Sequence, residues 1–349
     1  MATIELAACQ MHVTAEDYVS EESFAAMLDR AGQRLDRARA RGGDGAFAHP
    51  CLAVFPEMIG AFLPMVGRSR IVRGARSTDA ALTRVALRSL PAVLGAMRTA
   101  RTLSPKIGFL LAAAGEVRRI YRAAFGAFAR EHGVWVVAGS ALLPKNHLGD
   151  TAEAFEAEDG RVYNTSYAFA PDGRQVGATR KVNLVPTLED ELGLSPGDAS
   201  DVAPIEAPFG RVATLICYDG FLVPHTEAEP GFTRMMGTCD ARGARVIAHP
   251  AANPWAWGER WIFAANDERQ LRSEQWQSEG IEAQLGAGRF DNVRYAVTAH
   301  LLGDVLDNHF EGRSQILERT AAGARPIAEA QRADASRAAE EVVLRAVEV

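Results

Sequence analysis

Val212-Ala-Thr-Leu-Ile-Cys217-Tyr218-Asp219-Gly220 reads as a short buried strand that delivers a cysteine, then a tyrosine and an aspartate, into a glycine turn. A side chain at a strand exit is held by the sheet while the chain beyond it lines a cleft. The backbone N–H that follows points the same way. Taken alone, Cys217 reads more readily as an inert core thiol than as a reacting one, since free cysteine is among the most buried residue types.

Similar apolar runs recur on either side of this segment, at residues 4–9, 51–55, 134–139, 246–249 and 295–302. Residues 22–41 place Phe24, Met27, Leu28 and Leu35 near helical spacing, with Gly42-Gly43 as a stop signal. Residues 163–169 form another strand, and Pro171-Asp172-Gly173 turns the chain back toward Val176 as a hairpin. Strands alternating with helices, with a hairpin among them, predict a layered α/β fold with mixed sheets.

The chain has 349 residues, 48% hydrophobic and 23% charged, enough for one large domain or two smaller ones. Thirty-eight Lys and Arg against forty-four Asp and Glu leave a net charge of -6, which argues against nucleic acid as a partner. No apolar run approaches the ~20 residues that span a bilayer, and the N-terminus lacks a signal-peptide pattern, so a cytoplasmic protein without a transmembrane segment is expected. Cys9, Cys51, Cys217 and Cys239 are scattered without C-x-x-C or Cys/His clusters, which argues against disulfides and a metal site.

Residues 68–130 stand apart. They hold twelve arginines and Lys106 against only Asp79 and Glu116, a net of +11 that leaves -17 for the remainder. Their apolar residues fall at helical spacing, with Pro91 and Pro105 as breaks, and predict two or three basic amphipathic helices. Residues from 320 onward are rich in Ala, Glu and Arg, and 341–349 alternate as a terminal strand would, a frayed helix being the other reading.

Two further strand exits carry charge: Ala53-Val-Phe-Pro56-Glu57 and Thr179-Arg180-Lys181-Val182-Asn183-Leu184. Each alone is an ordinary solvated end. In this order with Cys217 they supply a base, a cation and a thiol. The three motifs together resemble the nitrilase superfamily of carbon–nitrogen hydrolases. The likeness extends to residues 4–10, to Glu131-His-Gly-Val-Trp-Val-Val-Ala-Gly139, to a hairpin with Asn164 and Asp172-Gly173, and to Phe310-Glu-Gly312-Arg-Ser314.

The resemblance implies a four-layer α-β-β-α sandwich over residues 1–319, with 68–130 as a basic helical insertion inside it. Residues 320–349 would be a tail reaching the partner of a homodimer or higher homo-oligomer. It makes Cys217 the nucleophile and Glu57 the general base and later acid. Lys181 would stabilise the oxyanion with the backbone N–H of Tyr218. A second glutamate is expected after the lysine; in Pro186-Thr-Leu-Glu189-Asp190-Glu191 both Glu189 and Glu191 compete, and Glu189 is preferred for its closeness to the proline.

Tyr-Asp after the cysteine resembles amide- and carbamoyl-hydrolysing branches, where true nitrilases tend to have Trp-Glu, so a small-molecule amide or N-carbamoyl substrate is expected. Nitrile hydrolysis through a thioimidate is the alternative enzyme reading, and a silent binding scaffold the alternative from another class. Asn253, Trp255 and Trp257 in His249-Pro-Ala-Ala-Asn-Pro-Trp-Ala-Trp-Gly-Glu-Arg-Trp261 are candidates for the substrate pocket. His249 reads as a hydrogen-bonded strand end, and Cys9, Cys51 and Cys239 as core fillers. The basic insertion is a lid beside the site, an oligomer surface or a membrane-surface element, the first two being favoured together. Beside a tryptophan-lined cleft it would suit a bulky lipophilic or acidic substrate. No cofactor and no metal are implied.

Overall fold

β1 (Thr3–Thr14) is shared between two sheets. Its stretch from Thr3 to Gln10 pairs antiparallel with β14 (Glu341–Glu348) and, from Glu5 to Ala8, parallel with β2 (Cys51–Val54). Its last residues, Met11 to Thr14, cross over to pair parallel with β10 (Tyr295–Val305). The computed structural model describes residues 3–41, 49–72, 74–229, 231–263 and 269–349.

From β2 the first sheet continues to β3 (Trp135–Val137), β5 (Tyr163–Phe169) and β6 (Gln175–Arg180), with β4 (Ala141–Leu143) beside the start of β5. The second runs β7 (Ile205–Ala207), β8 (Gly210–Thr214), β9 (Ala244–Ala251), β10, β12 (Gln315–Thr320) and β13 (Gly323–Glu329), with β11 (Asn308–Phe310) on the end of β10.

Period-two alternation builds the layers. Ile4, Leu6, Leu52 and Val54 from the first sheet meet Val212, Val246, Val297 and Ile316 from the second in one buried cluster between them. The alternate residues, Ala7, Cys9, Cys51, Ala53 and Phe55, face α1 (Glu21–Ala40) and α5 (Pro105–His132). On the far side Ala213, Ile247 and Ala296 face α6 (Met235–Ala241) and α8 (Ile281–Ala287), and Cys239 fills that layer. The result is the expected α-β-β-α sandwich.

Ser20 caps α1 by accepting the Ser23 N–H, and the helix buries Phe24, Met27, Leu28 and Leu35 as its spacing predicts. Gly42-Gly43 lies outside the described residues. In the basic segment the chain forms α2 (Ser69–Val72), α3 (Thr78–Arg88), α4 (Leu90–Ala100) and α5, and both prolines sit in a first helical turn, of α4 and of α5. This segment plays two parts. Val85, Val93, Ile107, Phe109 and Leu110 pack together over Leu142, Val162 and Leu194. Ile120, Tyr121, Phe125 and Phe128 of the same α5 belong to the layer on the first sheet.

Residues beyond 320 are mostly strand. β14 hydrogen-bonds to β1 of its own chain along eight paired positions, so that edge is satisfied internally.

Candidate active site

Three strand ends converge. Glu57 lies three residues beyond β2, Lys181 directly beyond β6, and Cys217 three residues beyond β8, which brings two exits of the first sheet to one of the second. All three are buried, at 3%, 1% and 4% exposure.

The Lys181 ammonium donates to Glu57 Oε1 at 2.7 Å and pairs with Glu189 Oε2 at 2.6 Å. Asn164, on β5 next to β6, bridges the same two carboxylates: its Nδ2 donates to Glu57 Oε1 at 2.8 Å and Glu189 Oε1 at 2.7 Å. Glu189 Oε2 also accepts the Val185 N–H at 2.9 Å, while Glu191 is exposed. The Cys217 thiol donates to the Ala252 carbonyl at 3.4 Å.

The backbone around these groups is held in sparsely populated conformations. Met58, Thr187 and Cys217 have φ of +63°, +64° and +46°, three of the five positive-φ non-glycine residues among the described residues. The turn at Met58 is secured by its N–H donating to Ser140 Oγ at 2.9 Å. Gly139, at φ +76°, lets the β3 exit run against the β2 exit, because a Cβ there would lie 2.0 Å from the Pro56 carbonyl oxygen.

Behind the thiol, the Asp219 carboxylate accepts the N–H groups of Val182 and Asn183, and that of Ile216. His249 Nε2 lies 2.8 Å from the Cys217 carbonyl oxygen and Nδ1 lies 3.0 Å from Thr298 Oγ1. Burial lowers its pKa to about 4, so the ring is neutral at pH 7, with Nε2–H donating to the carbonyl and Nδ1 accepting from threonine.

Burial also sets the resting charges. It works against the Lys181 ammonium, but Glu189 and Glu57 outweigh it and hold the pKa well above the usual value. Burial pushes the Glu57 carboxyl up against the pull of Lys181, with Glu189 adding to the rise. Burial and Glu57 push the Cys217 thiol up, so it rests protonated. Cys51 and Cys239 are pushed to about 12 by burial and stand among apolar neighbours. The lysine and two glutamates set Cys217 apart.

A cavity of about 530 Å³ opens onto Glu57, Lys181, Glu189 and Cys217. Leu82, Phe109, Leu110 and Leu142 line one part of it, Trp255 and Arg272 another. The other sequence candidates have supporting places. Asn253 spends both amide hydrogens on the Trp255 and Glu311 carbonyls and accepts from Arg272 Nε at 2.7 Å. Trp257 packs against Trp276 and His300, away from the cavity wall. The Tyr218 ring stacks on His225 at 4.0 Å and its hydroxyl donates to Glu229 at 2.7 Å.

Asn164, Asp219 and Arg272 were not singled out for the site by sequence. Arg272 is buried in α7 (Arg272–Glu279), its guanidinium carbon 3.7 Å from the Trp261 ring, and burial lowers its pKa to about 9. Among the described residues no group of three or more His, Cys, Asp or Glu could hold a metal ion.

A family model described as carbon-nitrogen hydrolase matches residues 6–224. The chain is 28% identical to omega-amidase NIT2 of Homo sapiens over 152 residues, 42% of this chain and 49% of the relative. It is 26% identical to 2-oxoglutaramate amidase of Bacillus subtilis (strain 168) over 190 residues, 54% of this chain and 56% of that one. The chain thus spans about half the length of these curated relatives. A solved structure of a mutant amidase from Nesterenkonia sp. AN1, with acrylamide added at its active site cysteine, superposes with a TM-score of 0.54 at 14% identity, covering 99% of this chain and 92% of that chain. At that identity the likeness establishes the fold.

Proposed function

The chain belongs to the carbon-nitrogen hydrolase family, and from that premise we propose that it hydrolyses a small amide or N-carbamoyl compound through a thioester on Cys217. The observation that carries this reading is the Lys181 ammonium clamped between Glu57 and Glu189 in the cavity that holds the thiol.

In this mechanism Glu57 takes the thiol proton as sulfur attacks the substrate carbonyl carbon. The charge that develops on the carbonyl oxygen faces the Lys181 ammonium and the Tyr218 backbone N–H, a fixed environment worth ~2.7–4 kcal/mol per donor in such sites. Glu57 returns its proton to the nitrogen as the carbon–nitrogen bond breaks. Water then adds to the thioester, its proton passes to Glu57, and the acid leaves as the thiol re-forms. Glu189 keeps Lys181 charged and aimed. The apolar wall of Leu82, Phe109, Leu110 and Leu142 favours a substrate with a bulky lipophilic acyl group.

Ammonia release and intact mass, followed across short and long amides, N-carbamoyl compounds and nitriles with the wild type and Cys217→Ala, test the proposal. Turnover of amides or carbamoyl compounds, with an acyl adduct on Cys217 and neither in the variant, is expected. Turnover of nitriles alone, or no adduct with any of them, would overturn it.

A further inference from the structure

The first two turns of α4 show solvent the surface a helix normally hides. Leu90, Pro91, Ala92, Leu94 and Gly95 are all exposed, and of these turns only Val93 is buried. Val93 and Met97 face inward onto α5, close enough that a Cβ on Gly108 would meet Met97 at 2.3 Å. The outward face carries Leu90 at 43% and Leu94 at 53% exposure, and Leu87 at the end of α3 adds 65%. Nothing in the packing of the sandwich calls for these leucines.

Charge surrounds them. Arg88, Arg98 and Arg101 are exposed and lie within ion-pair distance of no carboxylate among the described residues. The two acids of the segment are already taken, Asp79 by Lys106 at 3.3 Å and Glu116 by Arg68 at 2.6 Å. A complementary surface must therefore bring its own negative charge together with something apolar for the leucines.

We infer that the α3–α4 shoulder docks on an anionic lipid bilayer. Leucines mixed with unpaired arginines, whose long stems let the guanidinium reach headgroups while the leucines enter the acyl boundary, make an interfacial surface. The shoulder lies on the bilayer and does not span it: α3 and α4 have 11 residues each, about 16 Å long, and are bent by 94° where they meet. Among the described residues no single helix is long and apolar enough to cross. Leu87 and Leu90 are at once exposed and part of the wall of the cavity that holds Cys217, so the docked face carries the rim of that cavity. A lipophilic amide would pass from bilayer to thiol without crossing water. That last step rests on the proposed hydrolase; the docking does not.

Sedimentation of the full chain with phosphatidylcholine vesicles, and with vesicles of phosphatidylcholine and phosphatidylglycerol, reads the docking directly. Binding to the anionic vesicles that weakens as salt rises is expected. Leu94→Glu, outside the cavity wall, should cut binding at least about tenfold, and Arg98→Gln about fivefold. Both variants should turn over a short soluble amide as the wild type does. Equal or absent binding to the two vesicle types would overturn the inference. So would a wild-type dimer that Leu94→Glu converts to monomer, since a second copy would then be the occupant. Vesicle binding by a chain that turns over no substrate would sink the hydrolase reading and leave the docking standing.

Discussion

The Asp219 carboxylate accepts the Asn183 backbone N–H at 2.7 Å, joining a residue two beyond Cys217 to a residue two beyond Lys181. One buried acid therefore sets the thiol-bearing turn against the lysine-bearing one. Its carboxylate also takes the Val182 and Ile216 N–H groups.

Asp219→Asn should lower both stability and turnover. An amide offers one acceptor oxygen for three N–H groups, and each buried donor left unsatisfied costs about 1–3 kcal/mol. Differential scanning calorimetry should show a melting temperature several degrees lower. In the wild type, burial raises the Asp219 pKa from 3.8 to about 7. The folded state binds more protons than the unfolded one across that range, so this contribution is full below pH 3.8 and is lost as pH rises to about 7. The variant should lose that slope; an unchanged stability profile against pH would count against the role.

Asn164→Leu should move the acid limb of the pH–rate profile upward. In the proposed mechanism Glu57 takes the thiol proton as a carboxylate, and its raised pKa puts the wild-type limb of kcat/KM above 4.5. Activity falls as pH drops through it. The Asn164 amide donates to Glu57 Oε1 and favours its charged form; a hydrogen bond to a charged group is worth about 1.5–3 kcal/mol, or roughly one to two pH units. A limb that stays in place would show that Asn164 does not tune Glu57.

Gly220→Ala should disrupt the turn that carries Cys217 from behind. A Cβ there would lie 2.5 Å from His249 Nε2, the atom that donates to the Cys217 carbonyl. The imidazole is locked between that carbonyl and Thr298, so it cannot yield cheaply, and overpacking of this kind costs about 1–3 kcal/mol. A drop in melting temperature together with slower alkylation of Cys217 by iodoacetamide is expected. Wild-type alkylation kinetics would show that the turn tolerates the methyl.

Leu110→Trp should shorten the preferred acyl group. Leu110 is buried in the cavity wall contributed by α5, in an apolar cluster separate from that around Cys217, so a larger side chain there takes volume from the part of the cavity proposed for the acyl group. The ratio of kcat/KM for long over short amides should fall at least about tenfold, the value of one or two methylenes lost from an apolar pocket. A fall shared equally by both would point to damage at the reacting groups.

Much of the fold was open to reading because period-two patterns and caps are local. Ile4, Leu6 and Ala8 go to one face of β1 and Ala7 and Cys9 to the other, which an apolar alternating run already implies. β12 and β13 escaped notice because Gln315–Thr320 and Gly323–Glu329 mix charge, proline and alanine without a clean period. The double part played by α5 was hidden too, since one basic amphipathic helix looks alike whether it packs on a sheet or over a cavity. Trp255 and Trp257, two residues apart in a loop, gave no sign of which would line the pocket; packing on Trp276 and His300 takes Trp257 away.

What the sequence determined by itself was the candidate set of Glu57, Lys181 and Cys217 and the strand exits that present them, because each is written in a stretch of fewer than ten residues. The tertiary structure alone decided how they meet. Asn164 reaches Glu57 across 107 residues of chain and Lys181 reaches it across 124, and both contacts depend on the register of β5 and β6 against the rest of the first sheet. Registers, burial and the charges they bring together are set by packing over the whole molecule, and no local pattern encodes them.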